Sequence, residues 1–198
     1  HTTLNLIWCV KSINTNCHII KLGTMGEYGT PNIDIEEGWL NIKHNNREQR
    51  FMYPRQASSL YHTSKIMDTD LLWFYTRMNK IKVTDLMQGP VYGIMNNDFI
   101  EANDFQISLA YDDMFGTVLN RFIVQAVAKT PLLVYGSGSQ IRGYINIKDT
   151  LACISLALEN PPASGDMHIH NQFTEQFSVN QLAKKVQKPL KRIEIDVS

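Results

Sequence analysis

The chain has 198 residues, of which 43% are hydrophobic and 19% charged, a composition typical of a globular domain with a real core. Its 19 basic and 19 acidic side chains give zero formal charge, so the sequence offers no electrostatic argument for binding nucleic acid or an anionic membrane. No apolar run approaches the roughly 20 residues that span a bilayer, and the three cysteines lack the CxxC spacing of a metal site.

The first part of the chain reads as helix, strand, long polar stretch and helix. Apolar residues at helical spacing predict a helix over 3–13, and the run "CHIIKLG" predicts a short buried strand that ends at Gly23. The polar stretch 27–56 is too long for an idle connector and predicts a functional loop or a small excursion. From Ala57 we predict a helix with a serine near its start. Its predicted apolar stripe consists of Leu60, Ser64, Met67, Leu71 and Phe74.

The rest of the chain alternates strands with helices. "IKVTDLM" predicts a second strand that ends at "QGPVYG", where glycine and proline break regular structure, and residues 94–112 are predicted to be irregular. Then follow a helix in "DMFGTVLNRFIVQAVAK", strands in "LLVYG" and "RGYINI", a helix in "KDTLACISLALEN", a strand in "GDMHIHN" and a helix in "VNQLAKKV" capped by Ser178. This alternation favours a mainly parallel α/β sheet.

Three polar residues have the spacing that hydride transfer from an alcohol needs. Thr24 follows the first strand, Tyr61 opens "YHTSK", and Lys65 lies four residues later on the same helical face. An ammonium group stabilises a neighbouring phenolate. Tyr61 is therefore predicted to remove the alcohol proton, with Lys65 and Thr24 stabilising the charge. The alternative for the pair alone, a solvated lysine and a core-edge tyrosine, loses weight once the strand-end threonine and the α/β pattern are added.

The layout resembles the extended short-chain dehydrogenases/reductases that act on nucleotide sugars. Longer segments are similar to the UDP-sulfoquinovose synthase family, and the resemblance runs from about Thr3 to about Val186. These segments are "TMGEYGTPNIDIEEG", "YPRQASSLYHTSK", "TDLMQGPVYG", "FGTVLNRF", "RGYINIKDT" and "NQFTEQFSVNQLA". The resemblance implies an α/β fold with a partial, Rossmann-like doubly wound parallel sheet. Residues 1–93 would be the C-terminal half of the NAD-binding domain with its catalytic helix, and residues 94–198 part of a smaller nucleotide-sugar-binding region.

The resemblance implies UDP-glucose and sulfite as substrates and NAD as cofactor, in sulfolipid biosynthesis. In that family C4 of the glucose is oxidised, water is lost across C5 and C6, sulfite adds at C6, and C4 is reduced again. Thr24, Tyr61 and Lys65 would be the redox residues. A homodimer is compatible with the resemblance. The implied compartment is the chloroplast stroma in a photosynthetic eukaryote and the cytoplasm in other organisms.

The chain departs from the related 4,6-dehydratases directly after the threonine. Those enzymes carry an Asp-Glu pair there, for moving the C5 proton and the C6 hydroxyl, whereas this chain has Met25 and Gly26. We therefore expect Glu27 or His62 to replace that acid/base function. The alternatives are that Glu27 caps a turn and that His62 lies on the helix surface.

Further polar residues suit the ends of the substrate and cofactor. A guanidinium pairs with phosphate oxygens through two parallel hydrogen bonds, so arginines are candidates for the diphosphate; relatives place one at the "RGY" position. The glutamine after the second strand can reach the sugar or the nicotinamide, or merely cap the strand. The candidate NAD contacts are Tyr61, Lys65 and Gln88. The candidate substrate contacts are Thr24, Gln88, Arg121, Gln140 and Arg142.

Other patterns carry no site or point to missing segments. "GSGSQ" lacks the GxGxxG spacing and predicts a β-turn, and the pair His168 and His170 lacks a third metal ligand. The dinucleotide fingerprint is absent, and in the family it lies upstream, so we expect a fragment with impaired NAD binding. Pro90 stands where a valine is expected and donates no N–H. Other open functions are a UDP-sugar epimerase or 4,6-dehydratase, and an inactive remnant or interaction module.

Overall fold

The computed structural model describes a chain of two compact units. The described residues are 2–13, 16–93, 110, 112, 116–190 and 195–197. The first unit comprises residues 1–89 and 150–172, and the second comprises residues 90–149 and 173–198. The division of the whole protein into two functional domains stays a prediction, and most of the predicted irregular stretch lies outside the described residues.

Helices and strands alternate along most of the chain. Among the described residues, no helix is both long and apolar enough to cross a membrane. In chain order the elements are α1 (Thr2–Ile13), β1 (His18–Thr24), a 3₁₀ turn (Met25–Tyr28), β2 (Trp39–His44), β3 (Arg47–Met52), α2 (Leu60–Asn79), β4 (Lys82–Gln88), β5 (Val91–Tyr92), α3 (Val118–Ala128), β6 (Leu132–Val134), β7 (Ile141–Asn146), α4 (Ile147–Glu159), β8 (Met167–Gln172), β9 (Glu175–Ser178), α5 (Val179–Gln187), a second 3₁₀ turn (Lys188–Leu190) and β10 (Ile195–Val197).

The first unit contains a parallel sheet in the order β1-β4-β8. All three strands run in the same direction, which confirms the predicted α/β fold. The register places Thr24 opposite Gln88 and Gln88 opposite Gln172. The carboxyl ends of the three strands therefore meet at one edge, where open parallel sheets place their binding sites.

Helix α2 buries a different face from the one its sequence predicts. Its buried residues are Thr69, Leu72 and Thr76, whereas Leu60 and Met67 of the predicted stripe are 86% and 61% exposed. The prediction of the stripe was therefore wrong, although the helix itself was right. The face toward the sheet carries two threonines because it meets buried polar groups as well as the hydrophobic core.

The long polar stretch folds into a hairpin of β2 and β3, the small excursion that its length suggested. Asn45 and Asn46 form the two-residue turn with φ of 48° and 58°, the left-handed conformation that tight hairpins require. At the base of the hairpin, the indole of Trp39 donates to the Met167 carbonyl at 3.1 Å. Its ring also packs edge-on against Trp73 of α2, with centroids 4.7 Å apart.

The second unit is built on β7, which pairs with β5 in parallel and with β9 in antiparallel orientation. β6 pairs in parallel with β10. Ser178 caps α5 as predicted, and the Gln181 side chain returns the bond in a capping box. The sequence did not predict β9, because its four residues lack an apolar alternation. The core of this unit consists of Phe122, Ala126, Leu132, Val134, Tyr144, Val179, Leu182 and Ala183.

The left-handed turn of the hairpin yields a stability prediction. Asn46→Val should lower the free energy of unfolding by about 1–2 kcal/mol, because a β-branched residue is strained at positive φ. Urea unfolding of the purified chain measures the change. The matched control is Asn41→Val, at an exposed position in extended β2, where valine is favourable. Equal losses in the two variants would contradict the assigned turn.

Candidate active site at the carboxyl end of the parallel sheet

Three polar side chains share the carboxyl edge of the parallel sheet. Thr24 ends β1, and its hydroxyl oxygen accepts a hydrogen bond from the backbone N–H of Gly26 at 3.1 Å, which caps the 3₁₀ turn. Gln88 is buried, and its amide donates to the side-chain oxygen of Gln172 at 3.1 Å. The sequence analysis missed Gln172 because its predicted strand ended one residue earlier. Residues in register on parallel strands lie on the same face, so the three side chains are neighbours.

The first turns of α2 bring the predicted redox pair to this edge. The Lys65 ammonium donates to the backbone carbonyl of Leu22 at 3.2 Å, and it lies 5.8 Å from the ring centroid of Tyr61. The Tyr61 side chain is 59% exposed. Lys65 thus contacts both the tyrosine and the end of the strand that carries Thr24. The catalytic roles of these three residues remain predictions.

His62 occupies the space that a side chain at position 26 would need. A Cβ built on Gly26 would lie 2.2 Å from the Nε2 atom of His62. The other ring nitrogen, Nδ1, lies 2.8 Å from the hydroxyl of Ser59, and the ring packs against Tyr61 with centroids 5.1 Å apart. Glycine is therefore required at position 26 for the imidazole to reach the end of β1.

Glu27, the other predicted acid/base residue, belongs to a buried ionic cluster. The Lys21 ammonium donates to Glu27 and to Asp85, each at 2.9 Å, and to the hydroxyl of Thr69. Thr69 donates to Asp85 at 2.8 Å, and Tyr53 donates to the second oxygen of Glu27 at 2.7 Å. Glu27 is fully buried with both oxygens bonded. These contacts favour a structural role for Glu27, and among the two candidates they leave His62 for acid/base chemistry.

The cluster holds two carboxyl groups for one ammonium. Burial raises the pKa of Asp85, although Lys21 and the hydrogen bond from Thr69 oppose the shift. One oxygen of Asp85 has no hydrogen-bond partner among the described residues. That oxygen lies 2.2 Å from where a Cβ on Gly23 would be, so this position of β1 tolerates only glycine. The neighbouring Tyr53 also has a raised pKa because of its burial, which keeps it a hydrogen-bond donor.

The candidate diphosphate residues all lie in the second unit. Arg142 is exposed on β7, opposite Phe177 of β9, and Gln140 is exposed in the turn before that strand. Arg121 lies on α3 with its guanidinium carbon 4.9 Å from the ring centroid of Tyr135. Its Nε atom is buried and has no hydrogen-bond partner within the described ranges. Substrate contacts by these residues remain predictions.

Histidines on the parallel sheet do not form a metal site. His168 and His170 have ring centroids 5.7 Å apart on β8, and His18 bonds the hydroxyl of Thr84 at 2.8 Å. Burial, followed by the proximity of His168, lowers the pKa of His18. In the part of the chain that the structure describes, no group of three or more His, Cys, Asp or Glu side chains is placed to hold a metal ion.

The buried cluster yields a second stability prediction. Lys21→Met should lower the free energy of unfolding by about 3–5 kcal/mol, because it leaves two buried carboxyl groups without their counter-charge. The control is Lys43→Met, which removes an exposed ion pair with Glu48 at 3.3 Å and should change stability by less than about 1 kcal/mol. Chemical unfolding at pH 7 measures both, and similar losses would show that the cluster is not a structural anchor.

Comparison with known proteins places these features in a family. The chain is 48% identical over 195 residues to the chloroplastic UDP-sulfoquinovose synthase of Spinacia oleracea, covering 98% of this chain and 40% of that protein. It is 40% identical over 197 residues to UDP-sulfoquinovose synthase of Sulfolobus acidocaldarius, covering 99% of this chain and 50% of that protein. These identities confirm the resemblance found in the sequence. The chain spans about half the length, or less, of these relatives.

Solved structures and a family profile agree. The structure of UDP-glucuronic acid 4-epimerase from Bacillus cereus, bound to UDP-glucuronic acid and NAD, superimposes with a TM-score of 0.71 at 20% identity, covering 98% of this chain and 52% of that one. At that identity the likeness shows the fold. The profile of the NAD dependent epimerase/dehydratase family matches residues 1–171. The chain therefore belongs to the NAD-dependent epimerase/dehydratase family.

Proposed function

We propose that the chain is the catalytic part of a UDP-sulfoquinovose synthase, which converts UDP-glucose and sulfite to UDP-sulfoquinovose with NAD as cofactor. The observation that carries the proposal is the meeting of Lys65 with Tyr61 and with the strand end that holds Thr24. The identity of 48% to the spinach enzyme supports the choice of reaction. Since that relative is chloroplastic, we propose the chloroplast stroma for a chain from a photosynthetic eukaryote and the cytoplasm otherwise.

The donor set fits the nicotinamide side of NAD. Lys65 uses one N–H on Leu22, and an ammonium has three donors, so two are available for ribose hydroxyls. The Tyr61 phenol is exposed beside it, and Gln88 lies at the same sheet edge. When bound, NAD supplies the hydride acceptor for C4 of the sugar. The glycine-rich fingerprint that holds the ADP half is not in this sequence.

Tyr61 and Thr24 act on the C4 oxygen of the sugar. Tyr61 removes the hydroxyl proton, while the nearby Lys65 ammonium stabilises the phenolate. The Thr24 oxygen already accepts from the Gly26 N–H, which leaves its own hydrogen free to donate. Thr24 therefore donates to the oxygen that becomes the carbonyl and orients it.

His62 serves the loss of water that follows. A carbonyl at C4 acidifies the C5 proton, so the same site that oxidises C4 prepares the elimination across C5 and C6. The imidazole occupies the space beside Gly26, where related dehydratases carry a carboxylate. We assign to His62 the acid/base role, and to Glu27 a structural one inside the buried cluster.

The second unit supplies the contacts to the UDP moiety. Arg142 is exposed and its guanidinium matches two phosphate oxygens. Arg121 is held against Tyr135, a stacking that orients the planar guanidinium. Gln140 stands beside Arg142 in the chain and offers an amide donor. We assign these three residues to substrate binding.

A graft into a longer relative tests the proposed function. The chain would replace the matching segment of the spinach enzyme, and the graft would be incubated with UDP-glucose, NAD and sulfite. We expect UDP-sulfoquinovose by mass spectrometry. Tyr61→Phe should lower the rate by about 100-fold or more, because it removes the general base. His62→Gln should retain oxidation at C4 but lose exchange of the C5 proton with solvent.

The matched control is Tyr75→Phe, a tyrosine further along the same helix, which should leave the rate unchanged. A sulfite-independent 4-epimer would identify an epimerase, and a 4-keto-6-deoxy sugar would identify a dehydratase. A folded graft that binds NAD but forms no product would favour an inactive remnant or interaction module. Each of these results would overturn the proposal.

We propose a homodimer through the exposed face of α2. This face is apolar over the length of the helix, with residues recurring at helical spacing. Its members are Leu60, Met67, Phe74 and Met78. Contiguous exposed apolar surface of this kind marks an interface.

Sedimentation velocity tests the dimer. The parent chain should sediment as a dimer, and Met67→Glu should convert it to a monomer because the charge would be buried without a partner. The control Leu156→Glu, at a residue of α4 that is 58% exposed, should leave the dimer intact. A monomeric parent chain at micromolar concentration would contradict the proposal.

A further inference from the structure

The hydroxyl of Ser59 makes two contacts with one residue. As the N-cap of α2 it accepts a hydrogen bond from the backbone N–H of His62 at 3.2 Å. The same oxygen lies 2.8 Å from the Nδ1 atom of the His62 ring. Ser59 therefore joins the capping of the helix to the orientation of the imidazole.

A count of hydrogens decides the direction of the second contact. A serine hydroxyl has one hydrogen and two lone pairs, and one lone pair already accepts from the backbone of His62. The Ser59 carbonyl is occupied by the N–H and the hydroxyl of Thr63, both at 2.9 Å. The start of a helix is rich in N–H groups and carries a positive partial charge. This environment favours a hydroxyl that donates to an unprotonated Nδ1, and it disfavours a charged ring.

The opposite ring nitrogen faces the site. Nε2 lies against Gly26, 2.2 Å from where a Cβ would stand, two residues beyond Thr24. When one nitrogen of a neutral imidazole accepts a hydrogen bond, the proton resides on the other. The atom that faces the end of β1 is thus an N–H donor.

We propose that Ser59 is a positioning residue that holds neutral His62 in the tautomer with its proton on Nε2. The ring then presents a hydrogen-bond donor beside Thr24, suited to an oxygen acceptor such as a sugar hydroxyl. Gly26 contributes by leaving room for the ring. The identity of the acceptor rests on the proposed function, whereas the tautomer does not.

Long-range proton–nitrogen correlation spectra of the histidine-labelled 198-residue chain test the tautomer. His62→Gln assigns the ring signals. At a pH where the ring is neutral, we expect Nε2 to show the shift of a protonated nitrogen and Nδ1 that of an unprotonated one. Ser59→Thr retains the hydroxyl and should keep this pattern.

Ser59→Asp separates the tautomer from the helix cap. A carboxylate still caps the helix but has no hydrogen to donate, so the proton should move to Nδ1 while the helical circular dichroism stays unchanged. A protonated Nδ1 in the parent chain would overturn the proposal without any variant. An unchanged Nε2–H pattern in Ser59→Asp would also overturn it. Failure of the graft assay with the expected spectra would instead count against the proposed function alone.

Discussion

The buried ion cluster around Lys21 is the interaction on which this part of the structure depends. One ammonium meets Glu27, Asp85 and the hydroxyl of Thr69, so it joins β1, the 3₁₀ turn, β4 and α2 at one point. Isolated ions are costly to bury, and a cluster persists only where each charge keeps a partner. Here all three N–H groups of the lysine are used, and Tyr53 satisfies the remaining oxygen of Glu27. The geometry of these four elements is thereby fixed.

The same connections place the exposed functional groups. Lys21 adjoins Leu22, whose carbonyl receives the Lys65 ammonium. Thr69 lies one helical turn beyond Lys65, and its hydroxyl also approaches the Lys65 carbonyl at 3.2 Å. Buried charges thus support the scaffold, while Tyr61, Lys65 and His62 reach the surface above them. This division is the pattern expected where rigid elements hold reacting groups in place.

Position 26 explains how the chain differs from related dehydratases while it keeps their fold. A glycine there removes the side chain that follows the strand-end threonine, and the His62 ring from α2 fills the space. The polar group at that point of the site now comes from a helix rather than from a loop. Its orientation is set by Ser59 at the helix cap, so local helix geometry and site chemistry depend on the same hydroxyl.

Local patterns in the sequence determined the order and type of most elements, the cap at Ser178 and the family, because periodicity, capping and motifs are properties of neighbouring residues. Only the tertiary structure decided which groups meet. Lys21 and Asp85 are 64 residues apart, and nothing near either one announces the pair. For the same reason Glu27 reads as a catalytic acid in the sequence but is saturated in the core, and α2 buries Thr69 in place of Met67. Burial is set by what packs against a face, and a sequence pattern describes only the face itself.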